Sequence, residues 1–291
     1  MTWQLRFWGV RGSVPSPGPR TARFGGNTPC LELRGPDGDL VILDAGTGLR
    51  EFGSQLSNEP MDLRIFLTHG HWDHIQGLPF FAPLFRSGTR ITIHGPRPES
   101  GAGGLARAFD AQMSAVVFPV ALADAGATVE FREFSPDDGR FEGPGYEITT
   151  MPVRHPGGAV GYSFSMQGRG DERKFVYVSD NELTAEGDLA ETDAWRRRLV
   201  EFASDADLLV HDATYSEQEY GRHRGWGHST DRQAVALALE AGVKRLALFH
   251  HHPDRSDAEI DSRTEDCRRV VRDCGSRLEV FSAAEGSSLT L

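Results

Sequence analysis

Four coordinating side chains fall within six residues of "IFLTHGHWDHIQG", Ile65 to Gly77: His69, His71, Asp73 and His74. Imidazole together with carboxylate favours zinc, and the same donors also serve manganese and iron. On a regular helix, neighbours on one face lie three or four residues apart, so this spacing does not describe a helix face. It describes an irregular loop after an apolar run, with side chains aimed at two centres. Without a metal, so many polar groups crowded into one turn would carry a heavy desolvation cost.

The elements that must position these groups recur along the chain. Five short apolar runs, each of strand character, end in residues able to bind metal. "LRIFLTHGH" ends at His69 and His71, "EITTMPVRH" at His155, "KFVYVSD" at Asp180, "DLLVHD" at His211 and Asp212, and "RLALFHHH" at His250. Strands of one layered sheet that stop in such residues gather them along one edge. For the run His250, His251 and His252 the spacing does not say which ring points inward. Between the strands lie helix candidates. "STDRQAVALALEAG" has an N-cap in Ser229 or Thr230 and closes at Gly242, and "DAEIDSRTEDCRRVVRDCG" closes at Gly275. "DLAETDAWRRRLVEFASDA" is amphipathic, and "HIQGLPFFAPLF" opens a helix beside the first cluster whose extent Pro79 and Pro83 limit. "GPRPESGAGG" reads as a surface loop. Strands mixed with helices predict a layered α/β fold, with residues 1–291 as one domain.

Thr68-His69-Gly70-His71-Trp72-Asp73-His74 resembles the H-x-H-x-D-H hallmark of the metallo-β-lactamase fold superfamily, and the later stations follow in order over nearly the whole chain. The resemblance implies an αββα sandwich with two divalent metal ions at an edge between its sheets. It implies His69, His71 and His155 on one metal, Asp73, His74 and His250 on the other, and Asp180 bridging them. Two such cations activate a water and stabilise attacking and leaving oxygens alike.

The branch follows from further motifs. Class B lactamases carry a cysteine at the station of Asp180, and no cysteine stands between Cys30 and Cys267. "LLVHDATYSE" is similar to the H-E-A-T-F/Y segment of ribonuclease Z and its phosphodiesterase relatives, with Asp212 in place of glutamate. "WGHST" resembles their following histidine-serine-threonine segment, and "FWGVRGSVPSPG…RFGGNTPCLEL" the N-terminal strand and glycine-rich loop of bacterial phosphodiesterase-like members. The implied activity is hydrolysis of a small phosphodiester, a cyclic nucleotide among the candidates. Asp73 would orient the nucleophile, and His211 or His228 would contact the phosphate or protonate the leaving oxygen. The structural alternative for both histidines is to orient ligands from behind. His94 and His223 have no matching role.

Ribonuclease Z commonly carries a long basic arm between the third histidine station and the bridging aspartate. Here His155 to Asp180 has room only for a hairpin containing "QGRGDERK". A formal net charge of −11 adds to the case against a large nucleic acid as partner. Arg11, Arg20 and Arg23 are weighed as phosphate contacts against solvated surface cations. The competing readings are a tRNA 3′-processing endonuclease, a thioesterase or lactonase of the same fold, and a non-catalytic metal-containing sensing module. Three cysteines are too few for a disulfide framework; Cys267 and Cys274 lie seven apart. No apolar run approaches the roughly 20 residues of a membrane helix, and the N-terminus has no secretory pattern. A cytoplasmic protein is expected, with homodimerisation left open.

Overall fold

The computed structural model describes residues 2–98, 104–168, 172–183 and 190–291, with the side chains of 190–193 left aside. The strands are β1 (Gln4–Gly9), β2 (Cys30–Arg34), β3 (Leu40–Leu43), β4 (Asp62–Phe66), β5 (Arg90–Pro96), β6 (Thr128–Phe134) and β7 (Arg140–Gly143). They continue as β8 (Tyr146–Val153), β9 (Ala159–Gln167), β10 (Glu172–Val178), β11 (Leu208–Asp212), β12 (Arg245–Phe249), β13 (Glu279–Ser282) and β14 (Ser288–Thr290). The helices are α1 (Gly48–Gln55), α2 (Trp72–Ile75), α3 (Gly104–Gln112), α4 (Ala190–Ala203), α5 (Glu217–His223), α6 (Asp231–Glu240) and α7 (Asp257–Asp273).

Two sheets result, ordered β14-β1-β2-β3-β4-β5-β6 and β13-β12-β11-β10-β9-β8-β7. Their facing sides bury Phe7, Leu33, Phe66, Tyr162, Phe175, Tyr177 and Phe249 in one apolar layer. A second layer packs α4, α6 and α7 on the outside of one sheet, with Leu199, Leu237 and Val271 buried. A third covers the other sheet with α1 and α3 through Leu49, Phe52, Leu105 and Phe109. This is the expected αββα sandwich. Its buried strands are nearly continuous apolar runs because both faces are covered.

Within each sheet four strands run parallel, β3 to β6 and β10 to β13. β8 pairs antiparallel with β9, and β9 with β10, so β8 points the same way as β10. Their carboxyl ends therefore meet at one edge, where ligands of open α/β sheets bind. Register sharpens this: Val178 lies opposite His211, and Asp212 opposite Phe249. The residues just beyond these ends become neighbours at the spacing of paired strands, about 5 Å.

The helices fall close to the sequence expectation, with one correction. α6 starts from a capping box of Thr230 and Gln233, and α7 from one of Ser256 and Glu259. Ser256→Ala should cost about 1 kcal/mol, read as a lower urea midpoint at unchanged slope and unchanged activity. "HIQGLPFFAPLF" does not extend a helix: α2 ends at Ile75, and two 3-10 turns follow, each with proline in its first positions. Proline lacks the amide that a continuing helix needs. The amino-terminal part of the α4 expectation, and parts of "GPRPESGAGG" and "QGRGDERK", lie outside the described residues. Cys267 is buried while Cys274 is exposed at the end of α7, so the two share no face. Among the described residues, no helix is long and apolar enough to cross a membrane.

Candidate metal centre

β4 delivers Thr68 to His74 at the shared edge, and the groups expected around it arrive from the other sheet. His69, His71 and His155 bring ligand atoms within 4.8 Å of one another, as do Asp73, His74, Asp180 and His250. His71 Nδ1 and His155 Nε2 face each other at 2.9 Å. His250 Nε2 lies 3.2 Å from Asp73 Oδ2. Asp180 stands between the two sets: its Oδ2 is 3.8 Å from His69 Nε2, 3.7 Å from His155 Nε2 and 3.3 Å from His250 Nε2. Its Oδ1 is 3.1 Å from His74 Nε2.

The donors fit divalent cations. His69 Nε2 is buried without a hydrogen-bond partner, and His74 Nε2 faces only the Asp180 and Asp73 carboxylates, an arrangement that a cation would suit. The opposite nitrogens are held from behind. His69 Nδ1 is 3.1 Å from Thr68 Oγ1, and His74 Nδ1 is 2.9 Å from Asp44 Oδ2. His155 Nδ1 donates to the Gly227 carbonyl at 2.9 Å, and His250 Nδ1 lies 3.0 Å from Thr214 Oγ1. Metal-binding imidazoles are fixed in tautomer and direction in this manner. Burial pushes the His69 imidazole well below its ordinary pKa, which keeps it in the neutral form that binds metal. Burial acts the same way on His74, but Asp180, Asp73 and Asp44 outweigh it and raise its pKa well above the ordinary value. A cation between the same carboxylates would take that proton's place.

The backbone is bent to make this arrangement. Of the four non-glycine residues with positive φ among those described, Asp44 (φ 59°) and His250 (φ 58°) are in the cluster, and Ser13 (φ 63°) donates its amide to Asp73 Oδ2. Such strain, about 1–3 kcal/mol per residue, persists where the surroundings over-determine it. Gly12 has a packing reason as well: a Cβ there would lie 2.3 Å from the His250 ring.

The remaining sequence-predicted groups separate. Of the three consecutive histidines, His250 enters the cluster, His251 Nε2 donates to the Ala283 carbonyl, and His252 faces the partly exposed loop beside Asp254. His228 is at the cluster, its ring stacked on His250 at 4.8 Å and its Nδ1 2.7 Å from Asp212 Oδ2. Burial lowers its pKa, but Asp212 more than offsets this, raising it to about 9. His211, expected as an alternative phosphate contact, is fully buried. Its Nδ1 donates to the Asp212 carbonyl and its Nε2 lies 3.1 Å from Asn181 Nδ2, so its ring supports the strand end next to Asp180 and does not reach a ligand. His94 stacks on Phe66 and His223 on Tyr215, both outside the metal groups.

Of the arginines, Arg20 and Arg23 are exposed surface cations, as one of the two readings had it, and Arg11 fits neither. Arg11 is buried, and its guanidinium donates to the carbonyls of Gly25, His252 and Arg255, pinning the loop after His250 to the N-terminal loop. Arg20 reaches Asp254 and Glu259, and Arg23 pairs with Asp261.

Two supporting roles were missed. Asp44 accepts from the Thr68 amide and hydroxyl and from Tyr177 Oη at 2.7 Å, besides facing His74. Its signal was legible, because "LVILD" is a sixth apolar run ending in a coordinating residue. Asp212, expected as a strand-terminal coordinating residue and as a departure from glutamate, has a supporting role that the sequence did not show: it holds both His228 and Thr214. Clefts of about 520 and 510 Å³ open on the two sides of the His69–His74 loop, one lined by Trp72 and Phe80, the other by Gly70 and Arg107.

The sandwich and its His/Asp edge define a metal-dependent hydrolase of metallo-β-lactamase fold. The chain belongs to the β-lactamase superfamily, whose domain model matches residues 40–251. Ribonuclease Z of Haloferax volcanii is 28% identical over 333 residues, spanning 99% of this chain and 95% of its own. That of Halorubrum lacusprofundi is 30% identical over 293 residues, covering 86% of each chain. The metallo-β-lactamase fold protein YhfI of Bacillus subtilis has a similar structure, with a TM-score of 0.69 at 18% identity and complete coverage of both chains.

Proposed function

We propose that this chain is a dinuclear metal-dependent phosphodiesterase. The observation that carries the reading is the placement of Asp180 between two ligand sets, with the Asp212–His228 pair beside them. Two divalent ions there, zinc foremost with manganese and iron also fitting, would supply an activated water and positive charge for the phosphoryl oxygens. His69, His71 and His155 would hold one ion, Asp73, His74 and His250 the other, and Asp180 would serve both. Asp73, fixed by the Ser13 amide, also orients the nucleophile. His228 delivers a proton to the leaving oxygen, and Asp212 keeps it charged and aimed.

A small diester was expected from the sequence, and the relatives' name weighs against dismissing a large nucleic acid, favouring the tRNA-processing endonuclease instead. Two features of the chain support the small substrate. The alignment to the Haloferax relative runs over 333 positions against 291 residues here, so that protein carries segments this chain lacks. β9 and β10 pair antiparallel with Gln167 opposite Glu172, and the four residues between these two are too few for an arm. The small nucleotide diester, the first reading, rests on these features of the chain, and the tRNA 3′ end, the second, rests on the relatives, which support it more strongly.

A parallel panel tests them on zinc- and manganese-loaded protein: bis(p-nitrophenyl) phosphate, cyclic nucleotides, a tRNA with a 3′ extension, a thioester and a lactone. Turnover of diesters with slow tRNA cleavage is expected. Faster cleavage of the tRNA would establish the second reading. Turnover of only the thioester or lactone would overturn both.

A further inference from the structure

The short helix α2 holds an exposed indole between two residues of the metal cluster. Trp72, flanked by His71 and Asp73, is 63% exposed, and Phe80 nearby is 58% exposed. Both line the 520 Å³ cleft beside the cluster, together with Phe118 and Val117. Phe80 and Phe118 meet edge to face with centroids 5.4 Å apart, which fixes an aromatic wall. Gln76 and Asn27 add amides to the same lining. Cleft volume and mixed lining match those of small-molecule sites, which are apolar with a few polar groups that set orientation. Large aromatic area left bare beside a reactive centre calls for an occupant.

We propose that this cleft is a nucleobase subsite, which seats the base of the nucleotide whose phosphate reaches the metal cluster. It rests on the phosphodiesterase reading for that phosphate. A flat heterocycle fits the observations better than an alkyl chain, because the indole and phenyl rings offer faces and edges for stacking. Stacking of this kind tolerates any base, because every base has a π face. The volume takes one nucleoside and no helix.

Calorimetric titration of zinc-loaded protein with AMP and with ribose 5-phosphate tests the subsite without turnover. AMP should bind about tenfold or more tighter than ribose 5-phosphate. Trp72→Ala should erase that preference while leaving ribose 5-phosphate affinity and zinc content unchanged, and Trp72→Phe should restore most of it. Equal affinities in the wild type would overturn the proposal. So would equal loss of both ligands in Trp72→Ala, which would make the indole a prop for the metal loop. A shift from dimer to monomer in Trp72→Ala with the preference intact would assign this face to a second copy of the chain and likewise overturn it. Base preference without cleavage of any diester would sink the reaction and spare the subsite; diester cleavage without base preference would do the reverse.

Discussion

Asp180→Ala should empty the metal centre and abolish hydrolysis. The carboxylate lies near both histidine sets, so its loss would remove the proposed bridging ligand and the negative charge that would draw two cations together. Even the outer partners of metal ligands are worth about 10–100-fold in affinity or activity, so activity should fall below about a hundredth of wild type. Metal analysis by plasma mass spectrometry should show the loss, with secondary structure by circular dichroism unchanged. His94→Ala provides the contrast. That ring stacks on Phe66 at 4.6 Å and meets Phe141 at 5.0 Å, so its removal should cost about 1–3 kcal/mol of stability and leave metal content intact. Equal metal loss in both variants would show that occupancy follows general stability and not this ligand map.

The second large effect belongs to His228. His228→Ala should keep its metals and lose about 10²–10⁴ in kcat on alkyl diesters. It should lose far less on bis(p-nitrophenyl) phosphate, whose leaving group needs little protonation. An equal loss on both substrates would make His228 a support for His250, on which it stacks, and not a proton donor. The pH profile gives an independent reading. The donor acts in its protonated form, present below its pKa and lost as pH rises through it. Asp212 raises that pKa to about 9, and added cations can only lower it, so the alkaline limb should lie no higher than about 9. Asp212→Asn removes the raising charge and should move the limb toward lower pH.

Much of this site was legible because its residues terminate apolar strands. Periodicity and composition locate such strands, and parallel strands that end together share an edge, so His155, Asp180 and His250 could be linked to the His69–His74 turn despite their distance along the chain. What spacing did not carry was side-chain direction. His211 and Asp212 are adjacent in β11 and point to opposite faces, so only the aspartate reaches the cluster. The family resemblance selected His250 among three consecutive histidines; the positive φ at that residue is a backbone feature that spacing does not show. Arg11 read as a surface cation since burial of a guanidinium is uncommon, and its three carbonyl partners come from distant loops.

The most direct test is anomalous diffraction from crystals of the zinc-loaded protein. Two zinc peaks about 3.5–4 Å apart are expected, one against His69, His71 and His155, the other against Asp73, His74 and His250, with Asp180 touching both. Peaks bound elsewhere, or a loaded protein with these nitrogens free of metal, would contradict the account.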